Sequence, residues 1–217
     1  MIESKIVDIY SNEIKKYGLK DRRSLFWTKD KQDIRFNILL SEKLKSSTLS
    51  ILDYGCGTSD LKSFIDRNLY NFIYNGCDIN KDFISEAQDR YPEENIFLID
   101  SVDDIDKFYD IVLISGTFNL IGINDYATME SYVFTNILKL FEKTNYMLTI
   151  NFLSHKTDAE YQYKGHFYLN PMKLYEYASQ HMTNRIFLDE ASLPYEVTMK
   201  FYKDNNLNTS TVLYKIN

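Results

Sequence analysis

At 217 residues, 44% apolar and 26% charged, the chain has the make-up of one soluble domain with a sizeable core. Its net charge of −6 and the lack of a basic patch argue against a nucleic-acid substrate, because phosphate contacts need clustered Lys and Arg. Cys56 and Cys77 form no metal spacing and no disulfide framework, no signal peptide opens the chain, and no apolar run is long enough for a bilayer, so the expectation is a cytoplasmic protein with no metal site.

Residues 1–46 are charged and helical in pattern. Ile2, Ile6, Ile9 and Ile14 form one apolar stripe, with a break at Tyr17-Gly18. A second helix is expected from Asp30 to Lys45, with Ile34, Ile38, Leu39 and Leu44 at helical spacing. Gln32 and Arg35, three apart, share one face of it. These residues read as a helical cap or lid, and 47–217 as the core of one structural domain.

The chain is organised around Ser50 to Leu61. An apolar run ends in Asp53, Gly55 and Gly57 follow, and a helical pattern begins at once. Glycine lets a ligand approach the backbone and tolerates positive φ. A dinucleotide fingerprint would place glycine at residue 60, beside the pyrophosphate. Asp60 stands there, and Asp53 adds a second carboxylate, so the loop suits a cationic or neutral ligand better than a phosphate. S-adenosylmethionine fits, because it carries a sulfonium, an ammonium and no phosphate. A nicotinamide-dependent oxidoreductase is disfavoured on the same ground.

A second strand, Phe72 to Cys77, ends in Asp78, at about the spacing at which an acidic residue binds ribose hydroxyls. Asn80 caps the following helix, which Pro92 stops. A third strand runs from Asn95 to Ile99 and ends in Asp100-Ser101. A fourth, Asp110 to Ile114, is apolar enough to be buried on both faces and ends in Ser115-Gly116. A helix from Asp125 to Phe141 leads to a fifth strand, Tyr146 to Leu153. The loop after it holds His155 and His166 among Tyr161, Tyr163 and Tyr168. Imidazole titrates near neutrality, so these two are the candidate general bases, with hydrogen bonding to substrate or loop as the plainer alternative. Asn170-Pro171 opens a helix, and short strands are expected at Arg185 to Leu188 and Glu196 to Tyr202. An added strand is expected at Thr211 to Ile216. Most of the 18 tyrosines and 14 phenylalanines read as core.

Asp53-x-Gly55-x-Gly57 resembles motif I of the class I S-adenosylmethionine-dependent methyltransferases, with Ser59 where many members carry a third glycine. Asp78 matches motif II. The resemblance runs from about Trp27 to Tyr202. It implies a Rossmann-like three-layer α/β sandwich whose seven-stranded, mainly parallel sheet has the order 3-2-1-4-5-7-6. It implies S-adenosyl-L-methionine as cofactor and S-adenosyl-L-homocysteine as product. The implied cofactor residues are Trp27, Arg35, Asp53, Gly55, Cys56, Gly57, Asp60, Asp78, Ile79, Asp100, Ser101, Ser115 and Gly116. In the family the carboxylate at Asp100 accepts from the adenine amino group, and the next backbone N–H, that of Ser101, reads a ring nitrogen.

Trp27-x4-Gln32-x2-Arg35-Phe36 and Ser115-Gly116-Thr117-Phe118-Asn119 resemble a bacterial subgroup often encoded with surface-polysaccharide genes. There Trp27 would cover the site and Arg35 would pair with a cofactor or substrate carboxylate; core packing and a surface ion pair are the alternatives. The subgroup points to O-methylation of a sugar or nucleotide-linked precursor of capsule or lipopolysaccharide. Methylation of nitrogen or a phospho group in a small metabolite, and non-catalytic cofactor binding, are the competing readings.

Overall fold

The computed structural model describes residues 2–26, 29–40, 48–122 and 125–203. Four apolar segments form its parallel half: β1 (Leu49–Tyr54), β2 (Phe72–Asp78), β3 (Asn95–Leu98) and β4 (Tyr109–Ser115). Helices return the chain between them: α3 (Asp60–Arg67) follows β1 and α4 (Lys81–Arg90) follows β2. After β4 come α5 (Tyr126–Glu142), β5 (Thr144–Leu153), α6 (Pro171–His181), β6 (Ile186–Asp189) and β7 (Glu196–Tyr202). The sheet order is β3-β2-β1-β4-β5-β7-β6, parallel up to β5 and antiparallel around β7, as the resemblance implies.

Ile111 to Ile114 are fully buried, because helices cover both faces of the sheet. One core joins Leu52, Val112, Ile114 and Leu148 to Met129, Val133 and Ile137 of α5. The other joins Ile51, Ile111 and Leu113 to Phe64 of α3, Ile84 of α4 and Phe36. Asn80, Asp125 and Asn170 cap α4, α5 and α6 by accepting from backbone N–H groups.

Two helices precede the sheet, α1 (Ile2–Tyr17) and α2 (Lys29–Leu39). The second corrects an expectation. Ile34, placed on its apolar stripe, is 46% exposed, whereas Gln32, Arg35, Phe36 and Leu39 are buried. The buried face is set by what lies beneath, and two polar side chains find partners there. The expected extension to Lys45, the strand at Thr211 to Ile216, and Trp27 all lie outside the described residues.

Ser59, just before α3, has φ +59° and is fully buried, and its hydroxyl makes no well-formed hydrogen bond although Cys56 and Tyr74 stand beside it. The left-handed conformation explains why glycine serves at this position in the motif it resembles. Ser59→Gly is expected to stabilise the protein by about 1 kcal/mol. Thermal unfolding should show Tm rising by about 2–4 °C; a lower Tm would mean that the hydroxyl has a buried partner.

Candidate functional site

Sheet order reverses between β1 and β4, and their carboxyl ends diverge there into a crevice. The β1–α3 loop fills one side of it. Gly55 and Gly57 have φ of +76° and +53°, and a Cβ on Gly55 would overlap the Thr117 side chain. A Cβ on Gly57 would stand 3.0 Å from Leu25 Cδ2, in the short turn that follows α1.

The amides of this loop are already engaged. Gly55 and Cys56 donate to the Cys77 carbonyl at 2.8 and 2.9 Å, and Gly57 donates to Asp78 Oδ2 at 2.9 Å. Asp78 Oδ1 accepts from Asn80 N–H at 2.8 Å, so one carboxylate ties the loop to the start of α4. No nest of free N–H groups is left at these three residues for a phosphate. What faces the crevice is acidic. Burial pushes the Asp53 carboxyl up to about 7, although Tyr74 donates to it at 2.9 Å, and pushes Asp78 up to about 6. Burial likewise raises the Cys56 thiol.

A carboxyl with a folded pKa above its unfolded one holds its proton more tightly in the folded state. The contribution of Asp53 and Asp78 to stability is therefore fully present below about pH 4 and is lost as pH rises from there through 6 to 7. Ligand-free protein should lose stability over that range in denaturant titrations, and Asp53→Asn should flatten the profile. An unchanged profile in the variant would contradict the elevated pKa.

Asp60 has a different role. Arg90 of α4 pairs with it at 3.2 Å and also donates to the Thr58 carbonyl, while Gln32 Nε2 donates to Asp60 at 3.3 Å. Asp60 thus clamps α2 and α4 to the loop. Gln32 stands in the segment that resembles the subgroup's lead-in, beside Arg35, but was not among the predicted cofactor residues. It is 5% exposed, borders the same compartment as Asp53, Cys56 and Ser115, and its Oε1 is buried without a hydrogen-bond partner. A second compartment beside it is bounded by Asp78, Ile79, Ile99, Ser115, Gly116 and Tyr10 of α1.

No family model matches the sequence, and no curated protein sequence matches it. Solved structures do. The plantazolicin methyltransferase BpumL, solved with a triazolic desmethylPZN analog and SAH, superposes with a TM-score of 0.67 at 15% identity, over 93% of this chain and 96% of that one. A SAM-dependent methyltransferase from Archaeoglobus fulgidus gives 0.63 at 14% identity, over 84% and 97%. The mycolic acid cyclopropane synthase CmaA1, complexed with SAH and CTAB, gives 0.64 at 10% identity, over 92% and 97%. The chain has the fold of the S-adenosylmethionine-dependent methyltransferases.

On this methyltransferase fold, Asp53, Gly55, Cys56, Gly57, Asp60, Asp78, Ile79, Ser115 and Gly116 gather around the crevice. Asp100 and Ser101 depart from expectation. Asp100 is exposed, and the Ser101 N–H donates to Asp104 Oδ2 at 3.1 Å within a capped turn; Ile99 borders the compartment in their place. Arg35 also departs. Its guanidinium makes a two-pronged ion pair with Glu196 at the start of β7, and both are about 6% exposed. It is not a surface salt bridge, and Glu196 takes two of its three guanidinium nitrogens.

The histidines separate. His155 is exposed and does not border the cleft. His166 does, beside Phe26 and Tyr163. Its Nδ1 is buried without a well-formed hydrogen bond, and burial lowers its pKa, partly offset by the Lys164 backbone. The cleft holds about 560 Å³ and meets the crevice at Gly116, Tyr10 and Leu25. Among the described residues, no helix is long and apolar enough to cross a membrane.

Proposed function

We propose that the protein is an S-adenosylmethionine-dependent methyltransferase acting on a small acceptor. One observation carries this: the acidic glycine-loop crevice and the aromatic cleft meet at Gly116. The donor set fits a cation. Asp53 and Asp78 are buried carboxylates with no base paired to them in the hydrogen bonds described, and the loop offers no phosphate nest. In this reading Asp78 holds the ribose, and Asp53 with Gln32 Oε1 accepts from the ammonium. Ile79, Ile99 and Tyr10 wall the base. When bound, S-adenosylmethionine supplies an electrophilic methyl group on its sulfonium. The chain's own work is to orient the acceptor in the cleft, exclude water with α1 and α2 as the cap, and take the acceptor's proton at His166. Orientation of this kind lowers barriers by several kcal/mol, and a positioned base adds roughly 10²–10⁴-fold.

Gln32 gives the reading a local check. Gln32→Leu is expected to weaken S-adenosylhomocysteine binding about tenfold through one lost charge-assisted bond. Methylthioadenosine, which lacks the amino-acid end, should bind as before. Equal losses for both ligands would remove Gln32 from the ammonium site.

The sequence resemblance, taken alone, puts a sugar hydroxyl first among acceptors, within surface-polysaccharide synthesis in the cytoplasm, and the lining of the cleft bears on the choice between it and a ring compound. Incubation with S-adenosylmethionine and a panel of sugars, nucleotide sugars, amines and ring compounds, read by mass spectrometry, tests the activity. A methylated acceptor together with S-adenosylhomocysteine is expected. Tight cofactor binding with no product from any class would favour a binding protein instead.

A further inference from the structure

The aromatic cleft narrows the acceptor, on the footing of the methyl-transfer reading above. Several of its polar side chains are engaged within the protein. Arg35 and Glu196 form their ion pair, and Asn119 Oδ1 accepts from Leu153 N–H at 3.1 Å. Thr157 donates to the Ser154 carbonyl at 2.6 Å, Tyr195 donates to Asp158 at 3.3 Å, and the Tyr168 hydroxyl accepts from Tyr163 N–H at 2.8 Å. A sugar brings a hydroxyl on nearly every carbon, and each one buried without a partner costs free energy. Other polar groups of this wall, such as the Tyr161 and Tyr163 hydroxyls, ride on the edges of aromatic rings.

Flat surface is plentiful. Tyr161, Tyr163, Tyr195 and Phe26 are 51%, 72%, 40% and 39% exposed and border one cleft, so they form a patch rather than scattered surface rings. Tyr161 and Tyr195 lie 5.3 Å apart between ring centres, and Phe26 and Tyr163 each lie 5.7 Å from the His166 ring. Two groups of touching rings thus border the cleft. Among the described residues that border the cleft, Arg35 is the sole Lys or Arg, and Glu196 balances its charge. A phosphorylated acceptor would meet no uncompensated cation there. The volume, about 560 Å³, falls within the range of pockets that enclose molecules of several rings.

We propose that the acceptor is a flat, unphosphorylated molecule of two or more linked or fused aromatic or heteroaromatic rings. It stacks on Tyr161, Tyr163 and Phe26, with its reacting atom at the Gly116 end beside His166. A pocket lined by π faces with an imidazole at its edge has the make-up of such a site.

The test uses the whole protein, with saturating S-adenosylhomocysteine and without it. 2-Phenylbenzimidazole is titrated as the ring probe, against maltose and UDP-glucose. The ring probe is expected to bind and the two sugars not to. The double variant Tyr161→Ala/Tyr163→Ala alters only exposed side chains, so its fold should persist, and it should weaken the ring probe at least about tenfold. Binding of maltose or UDP-glucose in preference to the probe overturns the proposal. So does probe binding that the double variant leaves unchanged, or no probe binding at all. Should S-adenosylhomocysteine fail to bind, the donor reading falls instead, and the titrations without it still decide the chemistry of the cleft.

Discussion

Arg35→Met is expected to destabilise the protein by about 3–5 kcal/mol, the range for removing one partner of a buried ion pair. Tm should drop by roughly 6–20 °C. Arg35 holds both oxygens of Glu196, and both side chains lie out of water between α2 and the start of β7. Methionine fills a similar volume but leaves the carboxylate buried and alone. Desolvation, not lost packing, then sets the cost. A second substitution separates the two. Arg35→Met with Glu196→Met removes both charges and should recover most of the loss. Thermal unfolding of wild type, single and double variants completes the cycle. A double variant as unstable as the single would show that shape, not charge, holds α2 to the sheet. The same pair ties the cap to the acceptor cleft, so the single variant should also lose turnover.

Asp78→Asn should abolish measurable cofactor binding, a loss of about a hundredfold or more, while the fold persists. The carboxylate accepts from Gly57 N–H and from Asn80 N–H, one oxygen to each. Asparagine has one acceptor and turns an NH₂ toward the other N–H. A hydrogen bond to a charged group contributes about 1.5–3 kcal/mol, so losing one and creating a donor–donor contact reorients the loop. The ribose partner disappears in the same change. Circular dichroism should show native secondary structure, since the variant leaves the two apolar cores untouched. Calorimetry at pH 8, above the raised pKa of Asp78, keeps protonation from imitating the variant. Wild-type affinity in the variant would take Asp78 out of the site.

The sheet was legible in the sequence because its strands are apolar runs that stop at polar residues. Asp110 to Ile114 and Glu196 to Tyr202 needed no tertiary information. The order of strands came from the resemblance, since periodicity says nothing about neighbours. The glycine loop was legible because Gly55 and Gly57 are conformational requirements, and Ser59 bears the strain of a third.

What sequence missed depends on partners far along the chain. Arg35 looked available because Glu196, 161 residues away, is invisible to local pattern. The face of α2 was misplaced because Gln32 and Arg35 are buried by pairing, whereas periodicity counts only apolar side chains. Ser101 N–H was assigned to a ring nitrogen, but Asp104, three residues on, reaches it first. His155 and His166 share one loop, yet the bridge between Leu120 and His166 draws only the second toward β4. The tyrosines of that loop read in sequence as stacking surfaces, and their exposure sets them around the cleft.

Calorimetric titration of S-adenosylhomocysteine into folded wild-type protein at pH 8 is the most direct measurement. One binding site per chain in the micromolar range is the expected result. A flat titration with natively folded protein would contradict a sulfonium-donor site at the glycine loop, and with it the methyltransferase reading.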